Sequence, residues 1–70
     1  MKIQFDYWST AKNRRRTVSI ETASDNKQIV YLVYLDDSFE YMTDELIKLL
    51  WFVKNHYSVE DMNAVKKHFQ

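Results

Sequence analysis

Polar and apolar residues alternate at the start of the chain, with Ile3, Phe5 and Tyr7 separated by Lys2, Gln4 and Asp6. A period of two marks a strand with one buried face, so a strand is predicted over about 2–8. Val18, Ile20 and Thr22 alternate with Thr17, Ser19 and Glu21 in the same way, which predicts a second strand over about 16–22. The run from Ile29 to Leu35 is unbroken, β-branched and aromatic, and predicts a third strand over about 28–35 that is apolar on both faces. Beyond a polar turn at 36–38, Phe39-Glu40-Tyr41 is a candidate fourth strand.

The pattern then changes to a helical one. Thr43 is placed to cap a helix over about 44–55, with Asp44 and Glu45 at the positive end of its dipole. Met42 and Ile47 have the spacing of a hydrophobic staple. The body, 46–53, is apolar around most of its circumference, as in a helix buried on more than one side. Asn55 or His56 ends it. Ser58 then caps a second helix over about 59–69, with Asp61 completing a weak capping box and Tyr57 stapling to Met62. Val59, Met62, Val65 and Phe69 form its narrow apolar stripe, with Glu60, Lys66 and Lys67 facing water. The fold class is therefore α+β: one domain with a small antiparallel sheet of three or four strands followed by two packed helices, in the order βββ(β)αα.

Composition sharpens this picture. Seventy residues are close to the minimum for a self-sufficient core, and eleven Phe, Tyr and Trp side chains supply large apolar areas. There is no Gly, Pro or Cys. Each tight turn must therefore use Asn, Asp or Ser, and those residues stand at 12–14, 24–27 and 36–38. Disulfides and thiolate metal sites are excluded. The longest apolar stretches are far too short to span a bilayer and no leader pattern precedes them, so a cytoplasmic protein without membrane contact is expected.

Net charge is zero but segregated: residues 1–20 carry +4, residues 21–45 carry −6 and residues 46–70 carry +2. A bulk nucleic-acid binder usually shows a basic excess, which is missing here. Catalytic motifs are sparse as well. Glycine-rich phosphate loops and a glycine-flanked nucleophile elbow are excluded, and a Cys nucleophile is impossible. His56 and His68 are twelve residues apart, without ligand spacing on one helix face, and read as a helix end and a solvated terminus. The acidic residues Asp36, Asp37, Glu40, Asp44 and Glu45 lack the alternation and central glycine of a calcium loop. They read as turn and helix-start residues, or as a surface for a basic partner. No metal, cofactor or catalytic residue is expected.

Two features remain as candidate partner-binding sites. Arg14, Arg15 and Arg16 form a basic hairpin tip that can reach phosphates or carboxylates, with Trp8 and Tyr7 nearby to stack on a ring. The second is an apolar surplus. If Ile29, Tyr31, Val33 and Leu35 face the helices, then Val30, Leu32 and Tyr34 face the other way, opposite mostly polar positions. Either strand 3 is central and the first helix sandwiched in a compact monomer, or this face docks a partner or a second copy. The function expected is a small non-catalytic regulator or inhibitor that binds another protein by surface occlusion, with Asp36, Asp37 and Glu40 steering the encounter. In size it is comparable to the inhibitors of host or defence proteins carried by phages and mobile elements. The alternative is a small nucleic-acid-binding protein using Arg14–Arg16 with Trp8.

Overall fold

A computed structural model describes residues 2–57 and 62–69. The order is ββββαα: β1 (Lys2–Ser9), β2 (Arg14–Asp25), β3 (Gln28–Leu35), β4 (Ser38–Thr43), α1 (Leu46–His56) and α2 (Met62–Phe69). The candidate fourth strand is present, and the sheet is an antiparallel meander in sequence order. β2 is longer than its alternation suggests at both ends: Arg14 and Arg15 pair with Ser9 and Trp8, and Ala23–Asp25 pair with Val30, Ile29 and Gln28 of β3. Among the described residues no helix is long and apolar enough to cross a membrane.

The turns are where the missing glycines are felt. Two hairpins close with only two residues, Asn26-Lys27 and Asp36-Asp37, and all four have positive φ (50°, 69°, 49° and 67°). That is the twist-matched type I′ geometry, which normally recruits glycine. Asn and Asp tolerate it by hydrogen-bonding locally; Lys27 has no such help. The β1–β2 loop is wider, spanning 10–13, with Asn13 at φ 51° and the Lys12 N–H donating to Ser9 Oγ at 3.2 Å.

One face of the sheet carries the core. Val18 and Ile20 of β2, Val33 and Leu35 of β3, and Leu49, Val53 and Tyr57 of the α1 region are buried, joined by Val65 of α2. Aromatic rings finish the layer: Tyr41 stacks on Phe52 at 4.1 Å, Tyr7 leans on Tyr57 at 5.3 Å and Tyr31 meets Phe69 edge-on at 5.5 Å. Full burial of a Val, Ile or Leu side chain is worth about 1.5–3 kcal/mol, so five of them at zero exposure hold the two layers together. Tyr57 closes the end of α1, its N–H donating to the Val53 carbonyl at 3.0 Å, and burial pushes its phenol up to about 12.

Several local expectations are corrected. α1 begins at Leu46 with Glu45 as its cap residue, and the Thr43 hydroxyl instead accepts from the Glu45 N–H at 3.1 Å. Thr43 belongs to β4, and its half-turn hydrogen bond consumes the oxygen that would have capped the helix. The Met42–Ile47 staple does not form, because Met42 lies on the opposite sheet face and Ile47 points to solvent. Ile29 keeps the parity of Val33 but is exposed, since β3 extends past the helices towards its turn. His68 is half-buried, edge-on to Phe69, rather than in a solvated terminus. Ser58, Val59, Glu60 and Asp61 lie outside the described residues; Met62, Val65 and Phe69 do form the inward stripe of α2.

Two measurements follow from this packing. Lys27→Gly relieves a left-handed lysine and is expected to stabilise the fold by about 0.5–1 kcal/mol, while Lys27→Val destabilises it, as read by urea denaturation. The Tyr57 phenol is raised in the folded state, so its contribution to stability is complete below pH 10 and is lost as pH rises through about 12. Alkaline unfolding is therefore expected, with its onset moved to higher pH in Tyr57→Phe; an unmoved onset would assign it elsewhere.

Candidate functional site

Among the described residues nothing covers the second face of the sheet. Because opposite residues in an antiparallel ladder share a face, the register lays this surface out in rows. One row runs Lys2, Glu21, Leu32, Met42 across β1 to β4, and the next runs Gln4, Ser19, Tyr34, Phe39. Towards one end Asp6 faces Thr17 and Trp8 faces Arg15; towards the other Ala23 faces Val30.

The two halves of this face differ in chemistry. Over β1 and β2 the polar groups answer one another: Lys2 Nζ lies 3.6 Å from Glu21, and the Thr17 hydroxyl donates to Asp6 Oδ1 at 2.8 Å. Over β3 and β4 the surface is apolar. Val30, Leu32 and Tyr34 are half-buried only by their neighbours, while Phe39 and Met42 are 57% and 56% exposed. Tyr34 and Phe39 meet edge-on at 6.0 Å, which orders the centre of the patch.

Phe39 and Met42 extend the patch beyond the three residues that alternation alone identifies: Phe39 by pairing directly with Tyr34, and Met42 through a register shift. Between Val33 and Tyr34 the β3–β4 ladder slips: Tyr34 faces Phe39 but Val33 faces Tyr41, leaving Glu40 as the extra residue. In a regular ladder Glu40 would oppose Val33 in the core. The bulge keeps that carboxylate exposed, turns Tyr41 inward onto Phe52 and turns Met42 outward. The hint in the sequence is the conflict itself, a glutamate at a core parity position.

The basic and acidic features are not separate surfaces. Arg14–Arg16 are strand residues of β2 rather than a hairpin tip, so they alternate between faces. Asp36 accepts from Arg16 Nε at 2.8 Å, from Arg14 at 3.5 Å and from the Thr17 N–H at 3.0 Å, while its own N–H donates to the Thr17 carbonyl at 2.9 Å. The hydrogen bond from Arg16 holds the Asp36 carboxyl below its ordinary value, reinforced by the Thr17 N–H. The same contact raises Arg16, which also feels Glu40. Asp36 thereby ties the β3–β4 turn to β2. Arg15 alone of the three points to the open face, opposite Trp8; Tyr7 faces the helices and cannot join it. Asp37 stays exposed at the turn.

The remaining candidates are accounted for locally. His56 stacks on Phe52 at 4.0 Å, and its Nδ1 donates to the Phe52 carbonyl at 2.9 Å, which satisfies a carbonyl of the last helical turn. Among the described residues no three His, Asp or Glu side chains group to hold a metal ion. Two shallow hollows open to solvent, one of about 350 Å³ beside Gln4 and Asp6 and one of about 270 Å³ between Trp8, Arg16 and His56. They sit at or below the small end of ligand pockets and lack the apolar lining such pockets have. Ile47 and Trp51, one turn apart on α1, are 75% and 65% exposed, so α1 is not sandwiched although β3 is central in the sheet.

The depressed Asp36 carboxylate gives a signed pH dependence. Its contribution is present above the ordinary carboxylate value of 3.8 and is lost as pH falls through the lower folded value. Asp36→Asn is expected to lower the melting temperature at neutral pH, with the gap to the unsubstituted protein closing in acid. A gap independent of pH would mean that the turn geometry alone is responsible.

The chain matches no protein-family model, no curated protein and no solved structure.

Proposed function

We propose that this protein is a small non-catalytic regulator or inhibitor that occludes a surface of another protein with the apolar half of its open sheet face. The carrying observation is the contiguity of Val30, Leu32, Tyr34, Phe39 and Met42 on a face that no helix covers among the described residues. Contiguous apolar patches on small proteins usually mark interaction sites. Aromatic and Met side chains are also the types enriched at the centres of interfaces.

The edges of the sheet favour a face over strand addition. β1 presents Lys2, Gln4 and Asp6, and β4 is interrupted by its bulge; both are ways of blunting an edge. Exposed Trp8 and Arg15 on one side and Asp37 on the other give the patch a charged rim that steers an encounter. Seventy residues with no Gly and no Cys suit a protein that works by covering rather than by chemistry. By scale alone it compares with the occluding inhibitors of phages and mobile elements.

The nucleic-acid reading keeps only Arg15 and Trp8. Arg14 and Arg16 are engaged by Asp36, and the net charge is zero. Affinity capture from host lysate, with and without nuclease, separates the two readings. A stoichiometric protein partner is expected to survive nuclease and to be lost at least tenfold in Leu32→Asp and Phe39→Asp while circular dichroism stays unchanged. Capture that survives both substitutions would sink the proposal. A low-salt gel shift abolished by Arg15→Ala would put the nucleic-acid reading in its place.

A further inference from the structure

The open face also fits a second copy of itself. We infer that the free protein pairs through this face about a twofold axis running along β3. This rests on reading the face as a docking surface and names its resting occupant.

Strands lie about 4.8 Å apart in a sheet and stacked sheets about 10 Å apart. Rotation about an axis along β3 preserves each residue's level along the strands and exchanges β2 with β4. Leu32 and Tyr34 then meet their own counterparts, as a twofold interface requires. Protruding Phe39 comes to the level of Ser19, a small residue recessed between Gln4 and Tyr34 and only 4% exposed. The bump of one copy thus faces the shallow place on the other.

Charge follows the same symmetry. Arg15 lies on β2 just beyond the row of Asp6 and Thr17; Asp37 lies at the same end, in the turn entering β4. Neither forms an ion pair among the described residues, whereas their neighbours Arg14, Arg16 and Asp36 do. Exchanging β2 with β4 brings Arg15 of each copy to the end of the other sheet where Asp37 lies, about two residues beyond it along the strand, an offset that an extended arginine side chain can largely span. Each union creates this pair twice. With zero net charge, no long-range repulsion opposes it.

The apolar footprint is only two strands wide, so the pair is reversible and its population depends on concentration. A target that covers the same patch competes with the second copy. Self-pairing then shields the apolar patch until the target displaces it.

The test is sedimentation equilibrium of the purified chain from micromolar to millimolar concentration. The expected mass doubles with concentration. Arg15→Glu and Asp37→Lys each raise the dimer dissociation constant at least tenfold, and the two together restore it. Lysine is chosen because Lys27 already occupies the matching turn position in the 26–27 hairpin. A folded monomer at every concentration, or a dimer that neither substitution weakens, overturns the inference. If the protein is monomeric yet Leu32→Asp still abolishes capture of a target, self-pairing fails and the docking reading stands. If capture survives Leu32→Asp, the docking reading itself has failed.

Discussion

A pleated sheet has two faces, and the two helices among the described residues pack on one of them. The rest of the molecule follows from that inequality. β3 is apolar at every position from Ile29 to Leu35, so its pleat sends Val33 and Leu35 into the core and, unavoidably, Leu32 and Tyr34 out of it. The helices follow the sheet in sequence and both lie on the side of Val18, Ile20 and Val33. A sequence meant only for a one-sided monomer would alternate β3 as it alternates β1. The failure to do so is what singles out the open face.

Around that face the polar groups are arranged to cancel. Asp36 collects two guanidiniums and a backbone N–H at one turn, which removes two of the three arginines and part of the acidic run as free charge and leaves Arg15 available. Such an exposed cluster contributes little net stability by Coulomb attraction. Its value is geometric: it pins the short β3–β4 turn against β2 and so fixes the register from which the bulge at Glu40 departs. The bulge in turn decides which β4 side chains face the core and which widen the apolar patch.

Much of this was legible in the residues. Alternation in β1 and β2, the doubly apolar β3 and the helical stripe of α2 follow directly from side-chain period, and the turns stand at the Asn and Asp residues. What alternation does not carry is anything that changes parity or reach. The bulge inverts Tyr41 and Met42, because a local ladder rule yields to the cost of burying a carboxylate. The two-residue extension at the start of β2 converts an arginine tip into strand residues divided between faces. The start of α1 moved because a hydroxyl on β4 found a nearer N–H. Each is a tertiary or hydrogen-bonding choice among locally similar options, which single-residue propensities do not rank.

The strict meander also bears on how the molecule assembles. Every strand pair is closed by its own short loop, so each hairpin can form without waiting for distant chain. Sheet formation is thus a sequence of local closures, whereas covering the core face needs the C-terminal helices to arrive last. During synthesis the complete sheet emerges before either helix, with both faces bare. The chain therefore passes through a stage at which its two apolar sides compete for the same helices. Val18, Ile20, Leu35 and Val33 on one side must outbid Leu32, Tyr34 and Met42 on the other. The polar rows of Lys2, Glu21, Asp6 and Thr17 decide that contest, because a helix laid over them would strand their ion pair and hydrogen bond away from water.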